Sequence, residues 1–166
     1  MKRALLIAVA TLALSGAPAI AGGSSGSGSA PSSSGASYDP VEEYQKGVDA
    51  LQAGEYSKAE RAFKRVTKVA KKDANTRYML GLAHFGQEEY KAAAKSLSKA
   101  VKYDAELYQA HGKLGLAYLR IDQNEKAESV LSDLQAASTE CAGTCASADE
   151  IAGAIAEIED AKTSNA

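Results

Sequence analysis

Gly47, Gly81 and Gly115 stand 34 residues apart, and that spacing constrains the chain more than any other feature. Tyr56, Tyr90 and Asn124 fall on the same period, as do Ala59, Ala93 and Ala127. A fourth column reads Phe63, Leu97, Leu131 and a fifth Val66, Ala100, Leu134, all without an insertion. A fixed period of this length means stacked copies of one small unit, none of which can bury its apolar face alone. The three prolines lie at or before Pro40, so the following 126 residues carry no strong helix breaker. With 45% of its 166 residues hydrophobic, the chain has the apolar material such a stack needs.

Each unit reads as two helices. Asp39-Pro40 is a helix start, with a capping side chain, proline at the first helical position and Glu42 in the first turn. Gly54-Glu55-Tyr56 breaks that run, and Ser57 with Glu60 three residues later predicts a capping box opening the second helix. The corresponding turns are Glu88-Glu89-Tyr90 and Asp122-Gln123-Asn124. Glycine at 47, 81 and 115 and alanine at 59, 93 and 127 allow two helices to approach closely, while the large apolar column fills the space beside them.

These columns resemble the tetratricopeptide repeat family, with repeats at 40–73, 74–107 and 108–141. The sequence departs from the family pattern where Glu43, Arg77 and His111 replace its Trp, and where Lys71, Ala105 and Thr139 replace its Pro. Ala50 and His84 stand where Tyr is usual, and Tyr118 keeps the pattern. The resemblance implies an all-α, right-handed helical solenoid of three helix-turn-helix repeats. It also implies that the first helix of each repeat lines an inner groove. The groove residues carried over are Tyr44, Val48 and Leu51; Asn75, Tyr78, Leu82 and Phe85; and Gln109, Leu116, Leu119 and Arg120, with Val41, Gln52, Gly86 and Gly112 at the remaining positions. The family's clamp for a peptide carboxylate needs Lys and Asn where Tyr44 and Val48 stand, so recognition of chaperone tails is not expected. An apolar, aromatic groove suits an amphipathic helix or an extended apolar peptide.

The end of a stack needs a helix with one polar face. Ser147-Ala148-Asp149-Glu150 reads as a capping box before Ile151, Ala154, Ile155 and Ile158 at helical spacing, which predicts a cap helix over 148–161 and a short tail to 166. At the other end, Lys2 and Arg3, an apolar run from Ala4 to Leu14 and Ala19-Ile20-Ala21 have the layout of a secretory signal peptide, residues 1–21. The run is far short of the ~20 residues that span a bilayer, so no transmembrane anchor is expected. Cleavage removes Lys2 and Arg3 and takes the formal charge from −2 to −4. Thirteen of the sixteen residues from 22 to 37 are Gly or Ser, a flexible linker. In an exported protein Cys141 and Cys145 read as a disulfide closing a small loop between the third repeat and the cap helix. A redox dithiol and a metal site are the other readings, but the spacing is not that of a two-residue redox motif and two thiolates are too few for structural zinc.

His84 and His111 occupy packing columns, and no Ser, Asp or Cys is placed to form a triad with either. With no phosphate-cradling glycine loop and no paired carboxylates at ligand spacing, the sequence predicts no enzyme, no cofactor and no metal. A charge of −2 argues against a nucleic-acid-coating protein. Charge is nevertheless segregated. Twelve basic residues face five acidic ones between Glu55 and Lys102, and three face twelve between Asp104 and Asp160. Lys91, Lys95, Lys99 and Lys102 share one helix face. The expected function is an adaptor or scaffold in the bacterial periplasm, or secreted beyond it, that holds an unidentified protein or peptide in its groove. The alternatives are a self-associating structural component of an envelope assembly, a homo-oligomer, and a thiol-redox accessory.

Overall fold

The computed structural model describes residues 38–164. The signal peptide and the Gly/Ser linker assigned to 1–21 and 22–37 lie outside the described residues, as does the end of the tail. Seven helices follow one another: α1 (Pro40–Gln52), α2 (Tyr56–Val69), α3 (Ala74–Gly86), α4 (Tyr90–Tyr103), α5 (Tyr108–Leu119), α6 (Asn124–Cys141) and α7 (Ala148–Ser164). Among the described residues there is no strand. The all-α helical-repeat architecture is that of the sequence pattern.

The helix starts have local causes. Asp39 accepts from the Val41 amide at 2.8 Å, with Pro40 at the first helical position. Asp73 does the same for α3, accepting from the Thr76 amide at 2.6 Å. The capping box expected at Ser57 and Glu60 does not form, because α2 begins at Tyr56 with Glu55 in the cap position and no side-chain cap bond. Both side chains reach the next repeat instead: the Ser57 hydroxyl donates to Gln87 Oε1 at 2.6 Å, and Gln87 Nε2 donates to Glu60 at 2.8 Å. At α7 the Ile151 amide bonds the Ser147 carbonyl at 3.0 Å, and no side-chain bond of Ser147 or Glu150 completes a box. The helix runs three residues past the expected end, to Ser164.

Each repeat turns in the same way. Gly54, Glu88 and Asp122 take left-handed backbone angles, with φ of 72°, 60° and 57°. The amide of the next residue reaches back to the helix just ended, Glu55 to Ala50 at 2.8 Å, Glu89 to His84 and Gln123 to Tyr118 both at 2.9 Å. This six-residue closure satisfies carbonyls that a helix end leaves open. Glycine adopts the required angle freely, whereas Glu88 pays a steric penalty there.

Packing rests on small residues seating large ones. A Cβ on Gly47 would lie 2.6 Å from Phe63, and one on Gly81 would lie 2.6 Å from Leu97. Phe63, Leu97 and the alanines Ala59, Ala93 and Ala127 have no exposed surface. The third unit breaks the pattern. Gly115 seats Ile158 of α7, whose Cδ1 would lie 2.4 Å from an added Cβ, where the periodicity points to Leu131. Helix α7 therefore presses directly on α5 as well as α6, and Ile151, Ala154 and Ile158 are buried in that contact.

The layering follows from which helices touch. Helix α1 contacts α3 and α3 contacts α5, while among the described residues α2 and α4 do not meet, nor do α4 and α6. Helices α1, α3 and α5 thus form the shorter-arc inner wall, and α2, α4 and α6 the outer layer. Among the described residues no helix is long and apolar enough to cross a membrane.

Three substitutions check this packing and the turns. Gly81→Ala, despite alanine's better helix propensity, should lower stability by about 1–3 kcal/mol because Leu97 cannot retreat. Gly153→Ala, on an open part of α7 with nothing within 4 Å of the new methyl, should raise it by about 0.5–1 kcal/mol. Glu88→Gly should also stabilise by about 0.5–1 kcal/mol by relieving the left-handed angle. Urea midpoints at unchanged m values read all three.

Candidate partner-binding surface

The inner wall carries the residues expected to line a groove. Tyr44, Val48 and Leu51 on α1 are half-buried and pack against a first core of Ala50, Ala59, Phe63, Leu80 and Ala83. Tyr78 and Phe85 on α3 and Leu119 on α5 are half-buried against a second core centred on α4, α5 and α6. Leu82 and Leu116 are half-buried and belong to neither cluster. Asn75, Gln109 and Arg120 are exposed, and Val41, at the start of α1, has 76% of its surface open. These side chains stand on α1, α3 and α5, the apolar ones mostly half-buried and the amides of Asn75 and Gln109 exposed.

Aromatic contacts fix several of these side chains. The Tyr44 ring meets Phe63 edge-on with centroids 5.6 Å apart, and Phe85 meets Tyr90 in the same way at 5.1 Å. Tyr56 lies so close to Gly86 that an added Cβ would be 2.4 Å from its ring. One repeat on, the equivalent place is filled by Arg120, its guanidinium carbon 5.9 Å from the Tyr90 centroid. The tyrosines opening α2 and α4 thus support the end of the next repeat's inner helix.

The third repeat's share of the wall is partly covered. A Cβ on Gly112 would lie 2.9 Å from a Glu157 carboxylate oxygen and 3.2 Å from Ala154, so α7 lies over that position. Lys113 holds Glu157 in an ion pair. Burial raises the Tyr78 phenol above its usual range, and the negative charge of Glu157 raises it further. Tyr44 is raised by burial and then by Asp73. The sequence read α7 as a cap. Its lodging beside the groove was missed, although Gly112 and Gly115, three residues apart on α5, are the signal for a closely packed neighbour.

The remaining predicted residues are placed as follows. Cys141, closing α6, and Cys145 are joined by a disulfide with Cα atoms 5.3 Å apart. Glu43, in the column where tryptophan is usual, is buried and held by Arg65 at 3.0 Å and Lys46 at 3.4 Å. The hydrogen bond from Arg65 pulls its carboxyl below the ordinary range against the opposing effect of burial. His84 is buried with Nδ1 2.7 Å from Glu89, and Glu60 lies close enough that one ligand atom from each falls within 4.8 Å of the others. That trio has the chemistry of a cation site, which the sequence did not suggest. Its carboxylates are already engaged, however: Glu60 by Lys64 and Gln87, Glu89 by His84.

A sequence model of the tetratricopeptide repeat matches residues 44–100 and 78–140. The chain belongs to the tetratricopeptide repeat family. Among solved structures, MamA residues 41 to the end, from Desulfovibrio magneticus RS-1, is similar at 30% identity and a TM-score of 0.53, covering 55% of this chain and 52% of that one. A MamA RS-1 double mutant matches at 30% identity and a TM-score of 0.55, with 57% and 53% covered. The chain therefore spans about half the length of these MamA chains. The translocator chaperone SycD of Yersinia enterocolitica gives a TM-score of 0.63 at 17% identity over 76% of this chain and 93% of that one. The yeast Sti1 TPR2B domain in its pHsp70 complex gives 0.59 at 21% identity over 73% and 96%. At those two identities the likeness concerns the fold. No curated protein matches the chain.

His111 offers a pH test of the repeat packing. It is buried, Nε2 donates to the Ala105 carbonyl at 3.0 Å, and Nδ1 has no partner among the described residues. Burial holds its pKa below the ordinary value, opposed by that carbonyl and by Asp133 and Asp104. The unfolded chain therefore takes up a proton near pH 6.5 that the folded chain refuses, and stability falls as pH drops below about 6.5. His111→Gln should flatten that part of the urea stability profile between pH 7.5 and 5.

Proposed function

We propose that this repeat protein is a non-enzymatic adaptor whose inner wall holds an amphipathic helix or extended apolar peptide of a partner protein. The observation that carries this reading is the strip formed by Tyr44, Val48, Leu51, Tyr78, Leu82 and Phe85, rigidly seated below yet half-open above. Aromatic and branched side chains held in place lose little entropy on binding, which makes them effective anchors. With α7 over Gly112, the strip is most open across α1 and α3, and Asn75, Gln109 and Arg120 supply polar contacts at its edge. A binding role is in keeping with the chaperone SycD and with the Sti1 domain in its pHsp70 complex.

The chain acts in this reading after export to the bacterial periplasm. The N-terminal pattern of charge, apolar run and small residues supports that, as does a disulfide, which persists in an oxidising compartment.

Photo-reactive residues placed at the exposed positions Val41 and Asn75, with Lys68 on the outer helix α2 as control, test the groove in the producing cell. Cross-links to a second protein from the two inner positions and none from Lys68 are expected. Leu82→Glu should cut their yield by about tenfold or more, since it puts a charge among the apolar anchors. Cross-links confined to copies of this same chain would replace the adaptor with a self-associating scaffold. Equal labelling from Lys68 would remove the groove as the site.

A further inference from the structure

We propose that a cleft on the outer side of the stack, between α2, α3 and α4, is a binding site for a phosphate-type oxyanion. The cleft has a volume of about 300 Å³ and is lined by Lys64, Arg77, Lys95 and Lys99, with Ser96, a buried residue, in its wall. Four cations thus converge from three helices on one cavity large enough for a tetrahedral anion.

An arginine in its wall, with a buried Nε that no described residue accepts from, distinguishes the cleft from an ordinary solvated basic face. Lys64 is held by Glu60, but Lys95, Lys99 and Arg77 have no acidic partner among the described residues. Arg77 donates once, from Nη2 to the Lys71 carbonyl at 3.0 Å, and its buried Nε has no acceptor. The Ser96 hydroxyl makes no hydrogen bond with any described residue and is free to donate. Neighbouring unpaired cations repel one another, and a multivalent anion relieves that repulsion while accepting several charge-assisted hydrogen bonds at once. Two carboxylates adjoin lining residues, Glu60 bonded to Lys64 and Glu89 to His84, and neither carboxylate lines the cleft itself. Arg77 stands in the column where the family has tryptophan, and with that bulky side chain the cleft would lose its guanidinium.

The test is an NMR titration of the full chain with sodium phosphate, using sodium chloride at matched ionic strength as reference. Saturable shifts at the Thr67 and Ser96 amides are expected, with a Kd of about 1 mM or tighter. Lys95→Gln and Lys99→Gln should each weaken binding about tenfold. Lys102→Gln makes the same charge change on the same helix outside the cleft and should have less than about a twofold effect. Arg77→Gln should behave like Lys99→Gln with an unchanged far-UV spectrum; the two lysine variants, at exposed Lys95 and half-buried Lys99, carry the test if it unfolds. Flotation with phosphatidic acid vesicles against neutral phosphatidylcholine separates the sources of the anion. Vesicle binding lost in Lys99→Gln assigns a lipid headgroup, and no vesicle binding assigns a free phosphate. Absence of saturation by phosphate, or equal weakening by Lys99→Gln and Lys102→Gln, overturns the site.

Discussion

Glycine in an inner helix, pressed against a large side chain of the helix behind it, sets the geometry of this protein. Gly47 receives Phe63 and Gly81 receives Leu97 at distances that leave no room for a methyl group. The inner helices can then lie close together while the outer ones do not touch, and an inner wall follows. Everything placed on that wall depends on the seat: an inner helix pushed outward by a bulkier residue would carry Tyr44, Tyr78 and Phe85 out of line with one another.

The architecture was legible because this seat recurs at a fixed period. The columns of glycine, alanine and large apolar residues give the helix pairs directly, and Asp39-Pro40 marks the first start. The misreadings share a physical cause, namely that a residue's spacing does not say which partner it meets. Ser57 and Glu60 have the spacing of a capping box, yet the left-handed turn at Gly54 starts the helix before Ser57, and both side chains bond Gln87 across the repeat boundary. Leu131 falls in the column that seats on glycine, yet Ile158 occupies the Gly115 seat from beyond the periodic part of the chain. The apolar character of the candidate groove could be read residue by residue, whereas its partial cover by α7 could not. The run of lysines on α4 was visible too, but the cleft it helps to form required Arg77 and Lys64 from two other helices.

The two faces of the stack differ in chemistry. The inner wall offers apolar rings and branched chains with few charges, suited to exclusion of water around a peptide. The outer face of the first two repeats is strongly basic, and three of its unpaired cations, Arg77, Lys95 and Lys99, line the cleft where three helices meet. Toward the C-terminus the balance reverses, and there Glu157 and Glu128 bind α7 down by pairing with Lys113 and Lys162. Charge at that end ties α7 to the stack, whereas at the other end pairs such as Glu43 with Arg65 and Glu60 with Lys64 leave a surplus of cations.

The account depends most on α7 replacing α6 in the third seat, since this closes the stack and limits the open part of the inner wall. Nuclear Overhauser contacts from the glycine Hα protons of the full chain test it directly. Gly47 should show contacts to Phe63, Gly81 to Leu97, and Gly115 to the Ile158 methyls with none to Leu131. A contact from Gly115 to Leu131 in place of Ile158 would show three equivalent repeats with a detached α7, and would contradict the account.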